Sequence, residues 1–126
     1  MPHQHWQTEP EEHDFPAAMN YLSLIIGDDV ANDVVSELRI KPTVVYMAKD
    51  LLRASRLSLL GKDNKHVAGD LRKVEKGEHL SPVLLVRGEA ITNMPLVVAD
   101  GYHRICASYW IDENADIPCR LATWPR

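Results

Sequence analysis

Leu96-Val97-Val98-Ala99-Asp100-Gly101-Tyr102-His103-Arg104 is the stretch in which the residue period changes, and the change decides the fold. Four apolar residues in succession, Leu96 to Ala99, read as a strand buried on both faces. Asp100-Gly101 ends that run, and from Tyr102 to Ile111 the apolar residues return at helical spacing, with Ile105, Cys106 and Tyr109 inward. Working outward, Val83-Leu84-Leu85-Val86 is a second buried strand, Gly88 to Pro95 is the turn between the two, and Ile117 to Leu121 is the last strand. Strands alternating with a helix in this way predict a mixed α/β (α+β) class, a small sheet covered by helices.

Further upstream, Asn64 and Asp63 are candidate caps for a helix through Val67, Leu71 and Val74 that stops at Gly77. Thr43-Val44-Val45-Tyr46 is a β-branched and aromatic run after Pro42, expected to be a strand, and Ala48 to Ser55 a short helix. Two more helices come first. One starts at Asp14 as N-cap, with Pro16 in its first turn and Met19, Leu22 and Ile26 on one face, and ends at Gly27. The other starts at Asp28 or Asp29 and lines Val30, Val34, Val35 and Leu38 along one side. Residues 14–40 therefore form a helical hairpin whose apolar stripe must cover the core or a second surface, a homodimer or protein-partner interface being the alternative use. Residues 1–13 carry three histidines and three glutamates around a lone Trp6, and are expected to be a flexible tail before a single domain spanning 14–126. His3, His5 and His13 read as solvated side chains and not as a metal site, because nothing rigid holds them.

Composition narrows the function. With 126 residues, 45% hydrophobic and 25% charged, the chain has the make-up of one globular domain. Its longest charge-free apolar stretch, Tyr21 to Gly27, falls well short of the ~20 residues needed to span a membrane. The first residues lack the basic and apolar regions of a signal peptide, so a cytoplasmic location is expected, with Cys106 and Cys119 as reduced thiols. A formal net charge of −4 argues against nucleic acid as the partner.

The Asp-Gly turn carries the chemistry. A helix N-terminus offers unpaired N–H groups and the positive end of the helix dipole, and Gly101 lets a ligand approach the backbone. Arg104 adds a forked donor, and His103 either bonds a phosphate or moves a proton near neutral pH. On residues alone, a plain reading stays open as well: Asp100 a cap, Gly101 a turn residue and Arg104 a salt-bridge partner.

Leu80-Ser81-Pro82-Val83-Leu84-Leu85-Val86-Arg87-Gly88, Leu96 through Arg104, and Ile117-Pro118-Cys119-Arg120-Leu121 together resemble the ParB/sulfiredoxin-like superfamily. The likeness runs from about Val44 to Leu121, leaves out the N-terminal hairpin, and is most specific at the tight turn. It implies a turn that grips the phosphates of a nucleotide, ATP in sulfiredoxins and free-serine kinases or CTP in ParB proteins. Carried over, Gly101, Tyr102, His103 and Arg104 form the phosphate-binding turn, Arg56 faces the phosphates, and His66 and Lys73 lie on the nucleotide-contacting face. Asp100 and His103 become the catalytic candidates, Asp100 holding Mg²⁺ or orienting His103. Departures limit the match. Tyr102 stands where sulfiredoxins have their nucleophilic cysteine, with Cys106 a helical turn further on, so sulfinic acid reduction is not expected. His103-Arg104 replaces the Arg-Arg of ParB proteins, and no helix-turn-helix follows Leu121. Asp-Gly-Tyr-His-Arg differs from the Asp-Gly-His-His-Arg of free-serine kinases at one position, but no glutamate matches their base, and Asp50 and Asp63 are only loosely placed candidates. The resulting expectation is ATP or CTP binding, with Mg²⁺, and NTP hydrolysis or phosphoryl transfer. A non-enzymatic adaptor or regulatory module is the alternative, and a ParB-like DNA-binding or nuclease protein a third reading.

Overall fold

The computed structural model describes residues 5–125. Along the chain run α1 (Asp14–Ile26), α2 (Asp28–Ile40), β1 (Val44–Met47), α3 (Ala48–Ser55), α4 (Lys65–Glu75), β2 (Val83–Val86), β3 (Val97–Asp100), α5 (Tyr102–Ile111) and β4 (Asp116–Ala122). From Thr43 onward every expected strand and helix forms, with ends displaced by no more than two residues. The strands make one mixed sheet in the order β1-β4-β2-β3. The central pair, β2 and β4, is parallel, Val83 lying opposite Cys119 and Val86 opposite Ala122, while the outer pairings are antiparallel. Helix α5 carries the chain from β3 at one edge back to β4 in the middle.

Alternation along β2 creates two cores, because successive strand side chains point to opposite faces. Val83 and Leu85 pack with Leu51, Val67, Ile105 and Ile117, under α3, α4 and α5. Leu84 and Val86 pack with Leu22, Val34 and Leu38 of the hairpin. The sheet is thus the middle of three layers, and the hairpin's apolar stripe covers it within the chain. Leu22, Leu38, Leu84 and Leu85 are fully buried, each contributing about 1.5–3 kcal/mol relative to exposure.

The expected tail is corrected for residues 5–13, with residues 1–4 lying outside the described ones. Trp6 is only 5% exposed and joins the core beneath α5. Its neighbours bracket Leu80: Leu80 N–H donates to His5 O at 2.8 Å, and Gln7 N–H donates to Leu80 O at 2.7 Å. One buried indole and a parallel bridge hold a segment whose composition looked unstructured. Asp14 is also not the cap expected of it. It is the first residue of α1, buried, and its Oδ2 accepts the Glu11 N–H at 3.2 Å.

Arg120 of β4 is 6% exposed and points to the hairpin side. Its Nη1 donates to Leu38 O at 3.1 Å and Arg39 O at 3.0 Å, and its Nη2 to the Glu9 carboxylate. A cation at the C-terminal end of α2 satisfies carbonyls that the helix leaves unpaired and meets the negative end of its dipole.

Candidate functional site

The turn at Gly101 opens into a polar cavity of about 290 Å³. Gly101 has φ +110°, a conformation favouring glycine, and an added Cβ would lie 2.5 Å from Val83 Cγ1. Helix α5 begins at once: its first internal bond runs from Ile105 N–H to Gly101 O at 3.0 Å. No side chain caps that end, so the amides of residues 102–104 keep no acceptor within the helix.

Across the cavity stands α4. Asn64 caps it, its Oδ1 accepting from the N–H groups of His66 at 3.0 Å and Val67 at 3.2 Å. The cap sets the rotation of the helix: Val67 is buried with Leu71 and Val74 against the core, and His66, Asp70 and Lys73 share the face turned to the cavity. His66 and His103 meet there, with ring centroids 4.6 Å apart and planes tilted by 43°.

Arg104 binds the walls together. Its Nη2 donates to Asp100 Oδ2 at 2.7 Å, its Nη1 to Ser81 Oγ, and Asp14 Oδ1 lies 3.5 Å away. One guanidinium therefore ties the end of β3, Ser81 just ahead of β2 and the start of α1 to the first turn of α5. Asp100 accepts from Arg104 and makes no hydrogen bond with His103, so it orients the guanidinium and not the imidazole.

Burial pushes the Asp100 carboxyl up, although nearby Arg104 pulls it down. It also raises Asp70, with Lys73 as the main opposing charge. His103 moves the other way, lowered first by burial and then by the neighbouring His66. Weaker acids and a less basic imidazole narrow the gap between the carboxyls and His103, so a proton passes between them at a smaller cost.

Of the residues singled out from the sequence, Asp100, Gly101, His103, Arg104, His66 and Lys73 line this one cavity. Two do not. Arg56 turns away to Asn93, donating to its Oδ1 at 2.7 Å, and lines a different cavity. It ends α3 in a left-handed conformation, and that exit directs its side chain to the loop after β2. Tyr102 is absent from the lining, and its hydroxyl donates to Ser58 O at 2.5 Å. The base candidates Asp50 and Asp63 are also absent from the lining.

Sequence reasoning missed Asp70, Ser81, His79, Glu11 and His13 in the lining, and Asp14 behind it against Arg104. Asp70 was findable, since it stands one helical turn after His66 and one before Lys73 on the same face. Glu11 and His13 were hidden in the apparent tail, where His13 pairs with Glu11 at 3.2 Å and lies 3.5 Å from Asp14. His3 of the tail histidines lies outside the described residues. Among the described residues, no three His, Cys, Asp or Glu side chains are arranged to hold a metal ion, and no helix is long and apolar enough to cross a membrane. Comparison with protein families, curated proteins and solved structures finds no match to this chain.

Proposed function

We propose that the cavity at Gly101 binds the phosphates of a nucleotide, ATP or CTP, and supports phosphoryl transfer or hydrolysis there. The carrying observation is the convergence of His66, Lys73 and His103 on the uncapped N-terminus of α5, with its glycine turn. Backbone N–H groups, an ammonium and two imidazoles are the donors that phosphate oxygens take. Resemblance of the turn to the ParB/sulfiredoxin-like superfamily supports the same reading and favours ATP or CTP.

In this scheme the α5 amides and Lys73 bind phosphate oxygens, and His103 and His66 donate to them or hold a proton. Arg104 backs the site as a fixed positive charge, and its ion pair with Asp100 keeps the turn in shape. Asp70, its carboxyl raised by burial, is the group suited to receive a proton from an attacking hydroxyl or water. Asp100 is occupied by Arg104, so a Mg²⁺ ion brought by the nucleotide would take Asp70 as its protein carboxylate, in place of the proton-accepting role that Asp70 has without the metal. One or two carboxylates suffice for Mg²⁺ when phosphates supply the other ligands. The ion would offset charge on the phosphate oxygens.

Isothermal titration with ATP, CTP and inorganic tripolyphosphate, with and without Mg²⁺, tests the reading. Saturable binding is expected, with Lys73→Gln and His66→Gln each weakening it about tenfold. These variants are cleaner than Arg104→Ala, which also removes the ion pair with Asp100. Binding of none of the three, or binding unaltered in both variants, would overturn it.

A further inference from the structure

We infer that the cavity between α3 and the loop joining β2 to β3 is a second ligand site, one that takes a small organic carboxylate with an apolar body. The cavity measures about 670 Å³, inside the roughly 300–1,000 Å³ of small-molecule sites. It shares no lining residue with the cavity at Gly101. Leu51, Leu85, Leu96 and Leu121 make its floor apolar, from α3, both central strands and the residue before β3.

Around this floor stand three of the chain's eight arginines, Arg53, Arg56 and Arg87, against two carboxylates, Asp50 and Glu89. A local excess of positive charge is notable in a chain of net charge −4. The charges are also unevenly cancelled. Arg53 pairs with Asp50 at 2.7 Å. Arg56 bonds only the neutral Asn93, at Oδ1 and at the carbonyl oxygen. Salt bridges among the described residues engage Arg39, Arg53, Arg104 and Arg120, but neither Arg56 nor Arg87. A guanidinium fork matches a planar carboxylate in two parallel hydrogen bonds, and an apolar floor favours a hydrocarbon body beside it.

The backbone points the same way. Arg56 and Asn93, each with φ +61°, are the only non-glycine residues with positive φ among those described. They are bonded to one another. The left-handed turn at Arg56 ends α3 and that at Asn93 shapes the loop, and their hydrogen bond sets the guanidinium at the cavity wall. Leu96 N–H donates to Ala54 O at 3.0 Å, a second tie between α3 and the loop. Glu89 and Met94 exchange both backbone bonds at 2.8 Å, closing the loop on itself. Gly88 allows that closure, because a Cβ there would lie 2.5 Å from the Pro95 carbonyl carbon. The wall is therefore built before any ligand arrives.

The test titrates the full chain with 2-naphthoate and octanoate, and with their neutral amides, following backbone amide resonances by NMR. Each carboxylate is expected to bind at least tenfold more tightly than its amide and to shift Ala54, Arg87 and Leu96. Arg56→Gln and Arg87→Gln should each weaken that preference, and Arg87→Gln, at an exposed position, should leave the melting temperature unchanged. Arg72→Gln on α4 should have no effect. Equal affinity for acid and amide, shifts confined to other parts of the chain, or no saturable binding of either acid would overturn the proposal. Nucleotide titration reads the Gly101 cavity separately, so the two sites stand or fall independently.

Discussion

A methyl group at position 101 has nowhere to go. It would lie 2.5 Å from Val83 Cγ1 and 2.8 Å from Arg104 Nη2, on a backbone held at φ +110°. Gly101→Ala is therefore expected to destabilise the fold by about 3 kcal/mol, from overpacking and backbone strain together. Gly77→Ala also carries positive φ but has open space around the added carbon, and should cost about 1 kcal/mol. Urea denaturation of the two variants checks both values. His103 makes a pH prediction at the same scale. Its folded pKa lies below the ordinary 6.5, through burial and the adjacent His66. As pH falls through 6.5 the unfolded chain takes up that proton while the folded chain resists, so the His103 contribution to stability is lost on acidification. His103→Gln should flatten the fall in melting temperature between neutral and mildly acidic pH. Asp70 and Asp100, whose carboxyls are raised, contribute with the opposite sign, losing stability as pH rises above 3.8. Only the difference between the two proteins isolates the imidazole. An unchanged slope would show that the His66–His103 contact carries no such cost.

Elements differ in how plainly they show in a sequence. Helix α4 was legible in full, because Asn64, the Val67-Leu71-Val74 stripe and Gly77 mark its start, face and end. The segment from His5 to His13 was not, because it has no period at all. It is held by Trp6, by backbone bonds to Leu80 and by the Glu9–Arg120 ion pair, and none of these repeats along the chain. Removal of residues 1–13 should therefore lower the melting temperature well beyond the negligible change expected of a flexible tail. Trp6→Ala alone should cost about 3 kcal/mol, or about 10 °C in a domain of this size. A thermal melt by circular dichroism checks both. Loss of Glu11 and His13 should also loosen the wall of the Gly101 cavity that they form. The exit of α3 shows the limit from the other side: its length was legible, but the left-handed turn at Arg56 that sends the guanidinium to Asn93 was not.

For the whole molecule, both thiols report on global opening. Cys106 and Cys119 are fully buried in the core under α3, α4 and α5, and burial pushes Cys119 up to about 12. Ellman's reagent should thus label both at the rate of unfolding and react at once when denaturant is added. Fast labelling of either thiol in the native protein would reveal a local opening of α5 or β4. The three layers behind that protection were written in local periods. The unbroken apolar run of β2 demands cover on both faces, the hairpin stripe supplies one cover, and the helices around the Asp-Gly turn supply the other. Helical and strand repeats are properties of neighbouring residues, so the sequence by itself determined the elements, their buried faces and the glycine turn with His103 and Arg104. Tertiary structure alone decided which distant groups meet. Asp14 reaches Arg104, α4 carries Asp70 to the turn, and Arg56 leaves for a second cavity. Those meetings depend on the packing of all the elements at once, which no local repeat encodes.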